Sequence, residues 1–281
     1  MSELCRIAVV QMKSDTDKKK NLAQSKDYIK EARYKNAQII CFPEFQMGFS
    51  PSDQKPIELS EISEAVNTGN FIKTLSRCAK ENQVDLISTI YEKARAKDKV
   101  YDSALAIKKD GVIMARYRKI HLYDALGFRE SDKFLAGNSI EKPFQFEAAK
   151  IGLMICYDIR FPEVSRILSV QGAELLVIPS AWVHGIMKEE HWQTFIKARA
   201  IENGVYVIAP DQIGNIYTGR SMVVDPFGTV LLDMGNKEGM EVVDLEKSDI
   251  MKVRGKLPLL KNRRTDVYKK NLFAFTRTHP G

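Results

Sequence analysis

The feature that most constrains the fold is the alternation of short, β-branched apolar runs with longer amphipathic segments. Residues 5–11 and 38–42 have the length and composition of buried strands, and residues 18–36 between them have helical spacing. The Asp110–Gly111 pair favours a tight hairpin. The pattern therefore predicts a layered α/β domain that mixes βα units with hairpins. Further strands are predicted at residues 84–90, 100–108, 112–117, 144–147, 150–156, 174–179, 205–210, 220–225, 229–233 and 240–245, and further helices at 62–82, 161–171 and 188–203.

Composition excludes several classes of protein. Hydrophobic residues make up 44% of the 281 residues and charged residues 28%, which is typical of a folded globular chain and not of a disordered or fibrous one. No apolar run approaches the roughly 18 residues of a membrane helix. The first residues lack the basic and apolar regions of a secretory signal, so a cytoplasmic protein is predicted. No linker or repeat divides residues 1–245, which we interpret as one domain.

The net charge of +7 is confined to the end of the chain. Residues 246–281 contain ten basic and three acidic residues, so the preceding 245 residues are neutral overall. The segment also contains apolar and aromatic side chains, which a purely solvated tail does not need. It is predicted to be an extended appendage of the domain, or part of an oligomer interface. Nucleic-acid binding is the alternative, and it would use the same basic residues against phosphate.

The four cysteines, Cys5, Cys41, Cys78 and Cys156, are far apart in the sequence. None forms a Cys-x-x-Cys pair or a Cys/His cluster with zinc spacing, so neither structural zinc nor a disulfide framework is predicted.

Three reactive side chains each follow an apolar strand. Glu44 follows a strand ended by Pro43, where partial desolvation would favour a general base. Lys119 ends the second strand of the predicted hairpin and could stabilise an oxyanion. Cys156 lies at a strand end before a helix start, a position that favours a thiolate. Taken singly, each also fits a structural role: a loop acid, a solvated basic residue or a small core residue.

Together these segments resemble the carbon–nitrogen hydrolase (nitrilase) superfamily, whose catalytic residues are Glu, Lys and Cys in that order. The matching motifs are residues 42–44 (FPE), 118–122 (RKIHL) and 156–158 (CYD), supported by 198–203 (ARAIEN) and 219–228 (GRSMVVDPFG). The resemblance extends over nearly the whole chain, from Arg6 to about Tyr268.

The resemblance implies a four-layer αββα sandwich and a thioester mechanism without metal or organic cofactor. Glu44 would act as the base, and Lys119 with the backbone N–H of Tyr157 would hold the oxyanion. Glu130 matches the second glutamate of the family, which would hydrogen-bond the lysine and orient substrate. Family members associate through helices near the nucleophile, so a homodimer or larger homo-oligomer is expected.

Residues 156–163 (CYDIRFPE) resemble the Nit-type/ω-amidase branch, which hydrolyses the terminal amide of small carboxylated compounds, such as α-ketoglutaramate or deaminated glutathione. Arg160 is a candidate for binding the substrate carboxylate, or for a salt bridge with a neighbouring acid. The loop at 181–192 lacks the threonines usual in ω-amidases, and Trp182 and His184 would line a bulkier wall.

Other interpretations stay open. An N-carbamoyl amide hydrolase or a nitrilase would share the fold and the triad. A Cys–His hydrolase would pair Cys156 with His121, since His279 is in the tail and His191 falls in a helical pattern. A non-enzymatic interaction protein would not need Glu44, Lys119 and Cys156 together.

Overall fold

The protein alternates strands and helices through most of its length. The computed structural model describes residues 4–272. Its first half comprises β1 (Leu4–Gln11), α1 (Lys18–Tyr34), β2 (Ile39–Cys41), α2 (Pro56–Ile62), α3 (Asn70–Asn82), β3 (Asp85–Lys93), β4 (Val100–Ile107) and β5 (Ile113–Arg118). Its second half comprises β6 (Phe144–Gln145), β7 (Lys150–Leu153), α4 (Pro162–Val170), β8 (Leu175–Val177), α5 (Lys188–Asn203), β9 (Tyr206–Ala209), β10 (Ile213–Gly214), β11 (Tyr217–Thr218), β12 (Met222–Val224), β13 (Val230–Asp233), β14 (Gly239–Glu246), α6 (Lys247–Lys256) and α7 (Thr265–Leu272). The tail residues from 273 onward, including His279, lie outside the described residues.

Twelve of the strands form two mixed six-stranded sheets with the same pattern of directions, and β10 and β11 form a separate two-stranded sheet. The first sheet has the order β14-β1-β2-β3-β4-β5, and the second has the order β6-β7-β8-β9-β12-β13. In each order the second, third and fourth strands are parallel, and the remaining neighbours are antiparallel. The two sheets therefore share a pattern of strand directions, although the edge strand of the first sheet, β14, comes from the second half of the chain.

Alternation along β1 shows how the layers form. Ile7 and Val9 belong to the core that includes the second sheet, whereas Ala8 and Val10 pack in the core that includes α1 and α3. This division follows from the two-residue period of a strand, which sends successive side chains to opposite faces. Helices α4 and α5 cover the far side of the second sheet. The predicted four-layer αββα sandwich is confirmed.

The helix predicted over residues 62–82 begins later, at Asn70. Residue Glu64 lies beside β3 instead, because its backbone exchanges hydrogen bonds with Tyr91 and Lys93. The Glu64 carboxylate then accepts a 2.7 Å hydrogen bond from the N–H of Phe71, which satisfies a free donor in the first turn of α3. A Cβ on Gly69 would lie 2.3 Å from that carboxylate, so this cap requires glycine.

The segment after residue 245 differs from the extended chain that the sequence predicted, since it contains α6 and α7. Helix α6 is held to the domain by the buried side chains of Ile250 and Val253, three residues apart on one face. Arg254 also donates hydrogen bonds to the backbone oxygens of Ala173 and Gly204. No helix in the described part of the chain is long and apolar enough to cross a membrane.

Candidate active site

The fold brings the three predicted reactive residues together from three strand ends. Glu44 follows β2, Lys119 follows β5, and Cys156 follows β7. The Nζ atom of Lys119 lies 2.8 Å from Oε1 of Glu44, and both side chains are 1% exposed. Lys119 and Glu44 both act electrostatically on the Cys156 thiol. The two sheets thus meet in one buried site that contains a carboxylate, an ammonium and a thiol.

Glu130 completes this arrangement on the opposite side of the ammonium. It begins a short 3₁₀ helix, Glu130–Asp132, and its Oε1 lies 2.8 Å from Nζ of Lys119. Its second oxygen accepts a 2.7 Å hydrogen bond from the backbone N–H of Tyr123. Since both oxygens have partners, Glu130 fixes the position of Lys119 between two carboxylates.

Cys156 has an unusual backbone conformation. It is the first residue of the 3₁₀ helix Cys156–Arg160, and its φ of 41° lies in the left-handed region. For a residue with a Cβ this costs on the order of 1–3 kcal/mol and needs support from its surroundings. The Cys156 N–H donates to Pro179 O at 2.9 Å, and the Ala181 N–H bonds to the sulfur. The candidate nucleophile is therefore one of the non-glycine positions at which the described backbone is strained.

The electrostatics of the site keep the thiol and the lysine protonated. Burial, followed by the charge of Glu44, raises the pKa of Cys156 well above its ordinary value, although Lys119 opposes this shift. Burial alone would lower the pKa of Lys119, but Glu130 and Glu44 outweigh it, so that pKa is raised. A neutral thiol needs a base at the moment of attack, and Glu44 belongs to the cluster around it.

A cavity of about 340 Å³ opens onto this cluster. Cys156 and Glu130 line it, together with aromatic side chains from several loops. The volume falls in the range of small-molecule sites, which are mostly apolar with a few converging polar groups. The aromatic lining residues are Phe45, Tyr123, Phe128, Phe134, Tyr157, Trp182 and Tyr217.

The buried Glu–Lys–Cys arrangement on an αββα sandwich agrees with the result of a family comparison. The model of the carbon–nitrogen hydrolase family matches residues 6–254. The chain belongs to the carbon–nitrogen hydrolase family. The resemblance inferred from the three motifs is confirmed, and the protein is a hydrolase of carbon–nitrogen bonds other than peptide bonds.

Named relatives of this hydrolase include amidases. A protein of Escherichia coli O157:H7 named deaminated glutathione amidase is 38% identical over 212 residues, which cover 75% of this chain and 80% of that protein. The Homo sapiens protein of the same name is 33% identical over 280 residues, which cover 95% of this chain and 84% of that protein. Among solved structures, Saccharomyces cerevisiae Nit3, of the nitrilase superfamily, has a TM-score of 0.84 and 28% identity, covering 94% of this chain and 98% of that chain.

The remaining predicted binding residues divide into two groups. Tyr157 and Trp182 line the cavity, and the Trp182 indole is fixed by a 2.7 Å hydrogen bond to Lys188 O. Arg160 does not line it; its guanidinium stacks on Trp182 and on Phe195, at 4.8 Å and 4.9 Å from the ring centroids. It forms no salt bridge with Asp158 or Glu163, the two neighbouring acids that the sequence offered as partners.

His184 does not line the cavity, contrary to the prediction. Its side chain is exposed and lies outside the cavity lining, because its loop turns outward there and its backbone N–H bonds to Ile216 O. The bulkier wall expected from this loop is provided by Trp182.

His121 is held by a different partner from the one that a Cys–His hydrolase requires. Its Nδ1 lies 2.7 Å from Oδ1 of Asp158, and its ring stacks on Phe161 at 3.6 Å. Asp158 is fully buried and also accepts hydrogen bonds from the Tyr117 hydroxyl and the Ile155 N–H. The pair anchors the turn that carries Cys156, so Glu44 remains the candidate base.

Two buried residues of the site escaped the sequence interpretation. Asp102 on β4 is 2% exposed and lies 4.0 Å from Nζ of Lys119. Lys188 lines the cavity at the start of α5 and is 4% exposed. In the sequence both read as ordinary charged residues of a strand and of a helix start, so no signal distinguished them.

Asp102 is expected to be uncharged at neutral pH. Neither carboxylate oxygen has a hydrogen-bond partner among the described residues. Burial, and then the negative charge of Glu44, raises the pKa of Asp102 well above its ordinary value. We expect Asp102→Asn to keep kcat within about threefold, since an amide preserves the size and neutrality of the group.

The pH dependence of stability tests this expectation. A carboxyl with a raised folded-state pKa stabilises the fold below its unfolded pKa, and that contribution is lost as pH rises toward the folded value. The variant does not lose this contribution. The free energy of unfolding of the variant should therefore increase relative to that of the wild type as pH rises above about 4. Urea unfolding between pH 5 and 8 measures the difference. A difference independent of pH would show that Asp102 is ionised.

The other cysteines belong to the core. Cys5, Cys41 and Cys78 are free and buried, and burial raises the pKa of each. Residues 4–272 contain no group of three or more His, Cys, Asp or Glu side chains that could hold a metal ion.

Proposed function

We propose that this protein hydrolyses the terminal amide of a small carboxylated compound through a thioester on Cys156. The observation that carries the proposal is the Lys119 ammonium held 2.8 Å from both Glu44 and Glu130, in a buried cluster with a cysteine that faces a small-molecule cavity. The names of the relatives support an amide as the substrate, and deaminated glutathione is the first compound to test.

The reaction follows from the chemistry of these groups. Glu44 accepts the thiol proton while the Cys156 sulfur attacks the amide carbon. Lys119 and the Tyr157 N–H stabilise the negative charge on the carbonyl oxygen. The carbon–nitrogen bond breaks as the nitrogen takes the proton from Glu44, which leaves a thioester. Glu44 then takes a proton from water as the water oxygen attacks the thioester carbon. The carbon–sulfur bond breaks, the Cys156 sulfur takes the proton from Glu44, and the carboxylic acid product leaves.

A panel of substrates tests this proposal against its neighbours. Purified protein is assayed with deaminated glutathione, α-ketoglutaramate, an N-carbamoyl amino acid and an aliphatic nitrile, and the products are identified by mass spectrometry. Hydrolysis of the carboxylated amides at least about tenfold faster than the other compounds is expected. Preference for the carbamoyl compound or the nitrile would favour those alternatives, and inactivity on all four would favour an interaction protein.

We also propose that residues 1–245 form the hydrolase domain, that the following segment contributes to a homo-oligomer, and that the protein is cytoplasmic. Apolar side chains on the second-sheet helices support the assembly: Ile167 and Val170 of α4 are 39% and 50% exposed, and Ile201 of α5 is 43% exposed. Such exposure on neighbouring helices is typical of an interaction surface. The free cysteines suit a reducing compartment.

A dimer or larger assembly is expected at micromolar concentration. A double variant, Ile167→Glu with Val170→Glu, should shift it toward monomer, because charges would then be buried at the interface. Val112→Glu, at a side chain 54% exposed near β5, is the matched control. Light scattering measures the masses. A monomeric wild type would contradict the proposal.

The contribution of the tail is tested by a chain ending at Lys256, which keeps the packed helix α6. We expect this truncation to weaken the assembly without unfolding the domain. If the truncated protein forms the same assembly as the full chain, the residues after Lys256 do not contribute to the interface.

A further inference from the structure

Lys188 is a buried ammonium without a neutralising carboxylate. It lines the same cavity as Cys156, and its Nζ lies 3.2 Å from the Tyr123 hydroxyl. The faces of Trp182 and Tyr123 lie 4.4 Å and 4.8 Å from the nitrogen, measured to the ring centroids. Among the described residues no carboxylate forms an ion pair with it, whereas Lys119 in the same site has two carboxylates at 2.8 Å.

Such a charge is costly unless a ligand completes its surroundings. Burial lowers the pKa of Lys188, which shows that its environment disfavours the ammonium in the free protein. Aromatic faces offset part of this cost, since a cation over a ring is worth about 0.5–2 kcal/mol. An incoming anion would supply the missing counter-charge and a charge-assisted hydrogen bond.

The position of Lys188 is fixed by its neighbours. The Trp182 indole N–H donates to Lys188 O at 2.7 Å, and the Trp182 backbone N–H donates to buried Asp211 at 2.8 Å. The start of α5 is therefore tied to the wall of the cavity. A cation that is already in place loses little conformational entropy when it binds a ligand.

The other cations near the cavity have different roles. Arg129 is 75% exposed at its side chain and is 3.8 Å from Asp132. The Lys133 ammonium donates to Ser50 Oγ and Pro51 O. Arg160 lies outside the lining and stacks on aromatic rings. Lys188 is thus the buried cavity-lining cation in the described part of the chain that no carboxylate or backbone oxygen engages.

We propose that Lys188 binds the carboxylate of the substrate while the amide carbon lies at Cys156. This assigns Lys188 as the residue that selects carboxylated amides over uncharged ones. The inference rests on the proposed amidase function and deepens it. In this proposal Lys188, and not Arg160, binds the substrate carboxylate.

Two substrates and three variants test the inference. The substrates are glutaramate and valeramide, which have the same chain length and differ in the terminal carboxylate. Lys188→Met removes the charge at similar length, Lys188→Arg keeps a charge, and Lys133→Met removes another cation from the same cavity. Steady-state kinetics give kcat and KM for each combination.

Lys188→Met should raise KM for glutaramate by at least about tenfold with little change in kcat, since the contact is equal in ground and transition states. Its kcat/KM for valeramide should stay within about threefold. Lys188→Arg should recover most of the glutaramate affinity, and Lys133→Met should leave the ratio of the two substrates within about twofold. Equal losses on both substrates would overturn the inference.

A binding measurement separates this inference from the proposed function. Calorimetry of glutarate with the wild type and with Lys188→Met requires no turnover. Binding at least about tenfold weaker in the variant supports the carboxylate site even if no amide is hydrolysed. Equal affinity, or no binding to the wild type, would refute the site whatever the activity.

Discussion

Replacing Cys156 with alanine should lower amide hydrolysis by at least about 10³-fold, because no other group in the site can form the thioester. Cys156 lines the cavity, whereas Cys5 and Cys41 are wholly buried in the core. The fold should survive, since alanine removes one atom from a partly open position. Ammonia or amine release under saturating substrate measures the loss.

Intact-mass spectrometry after an acid quench adds a direct test of the intermediate. The acyl group should appear on wild-type protein and be absent from Cys156→Ala. Cys78→Ala is the matched control, because Cys78 is 5% exposed on α3, far from the cavity lining. If iodoacetamide labels Cys41 or Cys78 first and activity falls in step, Cys156 is not the nucleophile.

Glu44→Gln is expected to lower kcat by at least about 10²-fold, the scale of a removed general base. Glutamine keeps the size of the side chain, and its carbonyl oxygen can still accept the Lys119 hydrogen bond. It cannot take the thiol proton. Lys119→Arg should have a comparable effect, because a planar guanidinium does not fit between Glu44 and Glu130 at 2.8 Å from each.

The control for both variants is Glu92→Gln. Glu92 is also buried, but it pairs with Arg116 and Arg118 on β5 and does not touch Lys119. Replacement of Glu92 should lower the melting temperature, whereas kcat should change little. Retention of near-wild-type kcat by a folded Glu44→Gln or Lys119→Arg protein would refute the role of that residue.

Local patterns in the sequence predicted much of the fold because they depend on neighbours along the chain. The continuous apolar run of β1 predicts a buried strand, and the helical spacing in α1 predicts which of its faces is apolar. The turn chemistry of Asp110–Gly111 joins β4 to β5, with Gly111 at a φ of 88°. Where a distant residue intervenes, as Glu64 does at the start of α3, the local pattern led to a helix that begins too early.

What the sequence by itself determined is a layered α/β domain with Glu44, Lys119 and Cys156 at three strand ends, whereas the order of its layers was implied by the family resemblance. The tertiary structure decided which other side chains join them. Asp102 comes from β4 and Lys188 from the start of α5, and only folding brings the first near the Lys119 ammonium and the second to the cavity. Burial is set by the surrounding packing, so the lowered pKa of Lys188 and the raised pKa of Asp102 have no signature along the chain.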